Sequence, residues 1–317
     1  MLIAFKLKLA LVCAAGLAGP LAVAPLLSGT AAPETVLRDP AAFVELQPGT
    51  ASYRIAGDFT RAARQVEAPL ASVRFTQPLS IMKHQVSAAD YQRCVDEAAC
   101  RTLSPGVKAL ADRPAVQISW HDADAYAAWL SRKTGERYRL PTDEEWAFAA
   151  GSRYRDDVLP VDANDPSKRW IARYDRESNR EYGADSEPQP FGHFGANENG
   201  LYDTAGNVWE WTSTCFVRTR LDDDGQAISK NSNCGVRVAE GQHRTYVTDF
   251  IRDARAGGCA VGVPPSNLGF RLVRERNSWM SSLSSGFSKA LSIARSQPSQ
   301  APSNRRLRLR QEIVSTA

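Results

Sequence analysis

Between residues 151 and 199 the chain runs through charges, prolines and glycines with neither a helical nor an alternating apolar pattern. A compact domain seldom tolerates so long an irregular segment unless something holds it, and a bound metal ion is one candidate. The regular elements on either side are short. Residues 43–46, 52–55 and 73–82 are β-rich and separated by Pro/Gly turns, which predicts strands. Ser87-Ala88-Ala89-Asp90 opens a helix over residues 87–95. Residues 119–133 predict an amphipathic helix, with Ala125, Tyr126, Trp129 and Leu130 at helical spacing and Thr134-Gly135 as its stop. Thr142 with Glu145 three residues on is a capping box and predicts another helix. Short strands resume around 208–211, 236–239, 246–251 and 269–273. Strands, helices, long loops and strands again predict an α+β domain with little regular secondary structure.

The 317 residues suffice for one large domain or two small ones with a sizeable core. Balanced charge and seven Trp exclude wholesale disorder. The net charge of +4 is unevenly spread, since residues 276–317 hold seven Lys/Arg against one Glu. The rest of the chain is therefore slightly acidic, and no nucleic-acid field covers the body. That terminal segment is also Ser-rich and reads as a disordered tail. Trp279, Leu283, Phe287 and Leu291 recur every four residues within it, so part forms an amphipathic helix or packs back on the domain. The organisation read from sequence is 1–32 leader, 33–275 domain and 276–317 tail.

Lys6 and Lys8 precede the one long apolar run, and small residues 28–32 follow it, the pattern of a secretory signal or an uncleaved anchor. Either places the body outside the cytoplasm, periplasmic or secreted, with membrane contact only through leader or tail. Export makes the cysteines disulfide candidates. None has zinc-site spacing. Cys94 and Cys100 lie in a short polar turn after a helix, and Cys215 and Cys234 flank a polar loop around Asp222-Asp223-Asp224-Gly225, so two local bridges are predicted. Cys259 is left over, as a buried inert thiol or as a reactive or partner-linked one.

Three strings occur in order. Arg113-Pro114-Ala115-Val116-Gln117-Ile118-Ser119-Trp120-His121 leads to Arg139-Leu140-Pro141-Thr142-Asp143-Glu144-Glu145-Trp146. Asn199-Gly200-Leu201-Tyr202-Asp203-Thr204-Ala205-Gly206-Asn207-Val208-Trp209-Glu210-Trp211 follows, then Asn267-Leu268-Gly269-Phe270-Arg271-Leu272-Val273. Together they resemble the sulfatase-modifying factor family, whose founding members are formylglycine-generating enzymes. The likeness runs from about Phe43 to Arg274.

The resemblance implies a variant C-type-lectin-like fold, often tied by calcium. Asp203, the carbonyls of Gly206 and Val208, and Glu210 match the family's calcium-binding string, and such an oxygen-rich loop suits that ion. Trp209 and Trp211 read as core. The family's other calcium loop is not recognisable in Arg173-Tyr174-Asp175-Arg176-Glu177-Ser178. Formylglycine-generating enzymes oxidise a substrate cysteine with copper(I) held by two thiolates five residues apart, a soft-ligand site. Aligning Arg237-Val238-Ala239-Glu240-Gly241-Gln242-His243 with the family pattern puts those positions at Tyr246 and Ile251. Neither is a thiolate, so formylglycine generation is expected to be lost, and copper or iron is not expected.

Three readings follow. One is an exported accessory or maturation protein recognising a protein or cofactor-bearing partner, as exported relatives linked to copper nitrite reductase or siderophore maturation suggest. Another is an oxidoreductase with a rebuilt pocket around His243, Tyr246, Arg252 and Cys259. The third is a ligand-binding module on a lectin-like fold. Asp143-Glu144-Glu145, at a helix N-terminus, reads as complementing the helix dipole, and His121 as a capping or surface group.

Overall fold

The computed structural model describes residues 42–155, 171, 175, 187–254 and 267–275. Its first strands are β1 (Phe43–Leu46), β2 (Gly49–Arg54), β3 (Asp58–Arg61), β4 (Arg64–Val66), β5 (Leu70–Phe75) and β6 (Leu79–Met82). Helices α1 (Ala88–Asp96) and α2 (Trp120–Thr134) follow, then β7 (Arg137–Arg139) and α3 (Asp143–Ala150). The second half contributes β8 (Trp209–Leu221), β9 (Ala227–Glu240), β10 (Thr245–Thr248), β11 (Leu268–Gly269) and β12 (Val273–Glu275). The predicted strand over 73–82 is thus two strands, split around Pro78.

Each helix begins where its sequence provides an oxygen for the free N–H groups of the first turn. The Ser87 side chain accepts from the Asp90 amide. Ser119 and Asp122 form a reciprocal capping box, as do Thr142 and Glu145. Such a cap stabilises a helix by about 1 kcal/mol. Gly135, at φ 77°, ends α2 in the left-handed conformation that glycine adopts without cost.

A four-stranded sheet in the order β1-β6-β12-β7 brings the end of the described chain back beside its beginning. A larger sheet has the order β10-β9-β8-β3-β4, with β11 added parallel to β8. β2 and β5 form a separate antiparallel pair. The main core joins α1 and α2 to the inner end of the large sheet through Tyr91, Ile118, Tyr126, Leu130, Trp211, Val247 and Phe270. A smaller cluster of Leu46, Leu79, Ile81, Ala149, Leu201 and Val273 backs the four-stranded sheet. Trp209 and Trp211 are buried, as read from sequence.

The segment between Cys215 and Cys234, read as a polar loop, is the outer half of the β8–β9 hairpin. Its turn is closed by the Gln226 amide donating to Asp222 Oδ1 and the Gly225 amide to the Asp222 carbonyl. Residues 227–235 of β9 are all exposed, so no apolar alternation marks the strand. Among the described residues no helix is long and apolar enough to cross a membrane.

Candidate functional site

The Trp-Glu-Trp string opens β8 and sends Glu210 into the core, fully buried. Arg271, also fully buried, meets it side-on, with Nε 2.6 Å from Oε2 and Nη2 2.7 Å from Oε1. The Trp146 indole N–H donates to Oε2 at 2.8 Å, and the Gln85 amide to Oε1 at 2.7 Å. Arg271 spends its other N–H groups on the carbonyls of Met82, Lys83 and Tyr202, each at 3.0 Å. One guanidinium therefore ties the end of β6, the loop at Tyr202 and the start of β8 together. Asp203 turns the other way, with Oδ2 accepting from the Gly192 amide at 2.6 Å and Oδ1 from the Phe194 amide at 2.8 Å.

This arrangement does not fit the calcium ion expected at Asp203, Gly206, Val208 and Glu210. All four carboxylate oxygens already accept N–H groups, and Glu210 has a buried guanidinium as its counter-charge. A divalent cation there would have to displace Arg271, and the carbonyls of Gly206 and Val208 alone are too few oxygens for calcium. Among the described residues no three His, Cys, Asp or Glu side chains are grouped to hold a metal. Of the doubtful second loop only Asp175 is among the described residues.

Among the described candidates for the rebuilt pocket, His243, Tyr246 and Arg252 each engage different partners. His243 lies in the turn after β9, its ring edge-on to Trp209 with centroids 5.4 Å apart and Nδ1 3.1 Å from the Arg244 carbonyl. Tyr246 sits on β10, packs against Phe216, and accepts from the Gly57 amide at 2.7 Å. Arg252 is drawn away to the start of α2 by Asp122, at 2.9 Å, and donates to the Thr102 carbonyl. Cys259 lies outside the described residues. The two positions where the family's thiolates belong also diverge. Tyr246 belongs to a cluster with Ala56, Phe216 and Val238, whereas Ile251 packs on the main core.

What the sequence did not disclose is a buried charge cluster beneath that region. Asp143, the first residue of α3, is fully buried and accepts from the Tyr53 hydroxyl. Arg244 lies 3.0 Å from Asp143 and 2.7 Å from Glu240, and donates to the Tyr154 hydroxyl at 2.9 Å. Burial first, and then the Asp143 charge, push the Glu240 carboxyl well above the usual carboxylate range, against the pull of Arg244. Among the described residues Asp143 Oδ1 has no hydrogen-bond partner of its own, and the Glu240 carboxyl is the acid that burial and Asp143 hold above its ordinary range. Burial and Asp143 likewise raise the Tyr53 phenol. The cluster clamps β2, α3 and the root of the β9–β10 turn. The dipole reading of Asp143 missed it, because its partners lie far away in the chain.

His121 is a surface group, 3.1 Å from Asp249. Both predicted disulfides form, Cys94–Cys100 and Cys215–Cys234. A polar cleft of about 590 Å³ lies between the Pro105–Lys108 loop, Gln117, Glu187 and Asn267. It includes none of the pocket candidates.

A domain of short mixed sheets and few helices, pinned by the buried Arg271–Glu210 pair where β8 begins, is an α+β protein, as expected from its sequence. The sulfatase-modifying factor enzyme 1-like domain matches residues 29–276, and the chain belongs to that family. It is 31% identical over 175 residues to the inactive C-alpha-formylglycine-generating enzyme 2 of Bos taurus, covering 51% of this chain and 56% of that protein. It is 32% identical over 174 residues to the formylglycine-generating enzyme of Streptomyces coelicolor, covering 52% and 53% respectively. The chain thus spans about half the length of these relatives. Among solved structures it is similar to PvdO from Pseudomonas aeruginosa, with a TM-score of 0.46 at 23% identity, over 74% of this chain and 94% of that one.

Proposed function

We propose that this chain is an exported accessory or maturation protein of its family that does not generate formylglycine, and that it works by binding a protein or cofactor-bearing partner. The observation that carries the reading is Tyr246 and Ile251, a phenol and an alkyl group at the two positions where the family's copper(I) chemistry needs thiolates. Their side chains serve two separate hydrophobic clusters, so the positions act as packing sites. The similarity to a relative described as inactive supports the same direction. Export rests on the leader and on the two disulfides, which suit an oxidising compartment.

The test is direct. The purified chain is incubated with copper(I), oxygen and a cysteine-containing peptide, beside a formylglycine-generating relative as control. Aldehyde in the control alone is the expected result, and aldehyde formed by this chain would overturn the reading. Export is checked by fusing residues 1–32 to a reporter active only outside the cytoplasm.

A further inference from the structure

The two disulfides differ in burial at one sulfur each, since Cys100 and Cys215 are both half-buried. Cys94 is fully buried in the main core. Cys234 is exposed and its partner Cys215 is half-buried. The pairing of β8 with β9 jumps between them, with Cys215 opposite Arg237 and the next residue, Phe216, opposite Asn233. Cys234, Gly235 and Val236 therefore bulge from the ladder, which runs in register outward from Phe216–Asn233 to Arg220–Ser229 and shifts again on the inner side between Trp211 and Cys215. Opening this bridge releases a bulge and leaves the hairpin zipped.

A guanidinium waits at the inner sulfur. Arg237 Nη1 lies 3.1 Å from Cys215 Sγ and also donates to the Ser213 carbonyl at 2.8 Å. Its plane is held over the Trp120 ring, 3.9 Å from the centroid. Among the described residues Arg237 forms no ion pair, and its Nε has no hydrogen-bond partner. Two carboxylates, Asp249 and Asp124, are close enough to influence it without forming an ion pair, and Asp249 is engaged by His121. A fixed cation without a carboxylate partner favours a thiolate at Cys215, and a thiol of low pKa is the better leaving group in disulfide exchange.

We propose that Cys215–Cys234 is a thiol-exchange site that accepts two electrons from a protein or small-molecule dithiol. A thiolate of the dithiol attacks exposed Cys234 Sγ. The S–S bond breaks, its electron pair leaves on Cys215 Sγ beside Arg237, and a mixed disulfide forms on Cys234. The second thiol of the dithiol, losing its proton to solvent, attacks its own sulfur in that mixed disulfide and releases Cys234, which takes up a proton. The dithiol ends as a disulfide, and the protein as a Cys215 thiolate with a Cys234 thiol. This goes beyond the accessory reading and does not depend on it.

The experiment uses the intact oxidised chain and dithiothreitol at neutral pH, with timed iodoacetamide quenching and peptide mass spectrometry. Cys215 and Cys234 are expected to open at least about tenfold faster than Cys94 and Cys100. With glutathione as a monothiol probe, the adduct is expected on Cys234. Arg237→Gln should slow opening and move Cys215 alkylation to higher pH, while Arg237→Lys, which keeps the charge, falls between it and the parent. Equal opening of the two bridges, or glutathione trapped on Cys215, would overturn the proposal even if Arg237→Gln fails to fold. So would unchanged kinetics in a folded Arg237→Gln protein.

Discussion

Arg271 and Glu210 form a two-contact ion pair with both side chains fully shielded from solvent, 61 residues apart in sequence. Both Glu210 oxygens accept from that one guanidinium, which also holds the carbonyls of two further segments, at Met82-Lys83 and at Tyr202. Removing one partner of such a pair strands a buried charge and costs about 3–5 kcal/mol, far more than a surface ion pair. Arg271→Ala is therefore expected to lower the unfolding free energy by that margin or prevent folding. A loss below about 1 kcal/mol in urea unfolding would show that the pair does not hold the domain together.

The same donors set an expectation for calcium. A metal that binds only the folded state stabilises it by about 2.7 kcal/mol at a hundredfold excess over its Kd. With Glu210 and Asp203 turned to N–H groups, the unfolding midpoint is expected to be the same in millimolar calcium and in a chelator. A midpoint that rises with calcium, in step with one bound ion per chain, would mean that Arg271 yields its place.

Glu240 should give the protein an unusual pH dependence. Its folded-state pKa lies above the ordinary carboxyl value because of burial and then Asp143, so the native state binds its proton more tightly than the unfolded chain does. The stability it contributes is complete below the unfolded pKa and is lost as pH rises toward the folded one. Glu240→Gln, neutral throughout and still able to donate to Asp143, is expected to flatten this decline. Thermal unfolding of both proteins from about pH 4.5 upward checks it. Parallel curves would place the proton elsewhere.

Local signals were legible and remote ones were not. Ser119 with Asp122, and Thr142 with Glu145, mark their helix starts because a cap is decided within four residues. The three strings disclosed the family, and the cysteine positions disclosed both bridges. The outer β8–β9 hairpin stayed hidden because residues 227–235 are exposed on both faces and carry no period-two pattern. Glu210 and Asp203 were read as metal ligands because a carboxylate in sequence shows its charge but not its partner. That partner, Arg271, belongs to another string. The Asp143–Glu240–Arg244 cluster failed to appear for the same reason. Each residue had a sufficient local explanation, and only the fold brought the two acids to one guanidinium.

The divergence of Tyr246 and Ile251 sets the last expectation. If the lost copper(I) chemistry were a matter of residue type alone, Y246C/I251C would restore a thiolate pair. The two side chains face different clusters, however, Tyr246 toward Phe216 and Ile251 toward the main core. A copper(I) ion needs both sulfurs converging on one point, and sub-ångström placement matters for such a site. The double variant is therefore expected to lose stability, since replacing a buried tyrosine by a smaller side chain costs about 2–4 kcal/mol, and to gain neither a stoichiometric copper(I) site nor aldehyde formation. Copper(I) titration with a competing chelator reads the first, and the cysteine-peptide assay the second. One tightly held copper(I) per chain, absent from the parent, would show that the backbone still keeps the family's ligand geometry and that the two substitutions alone silence it.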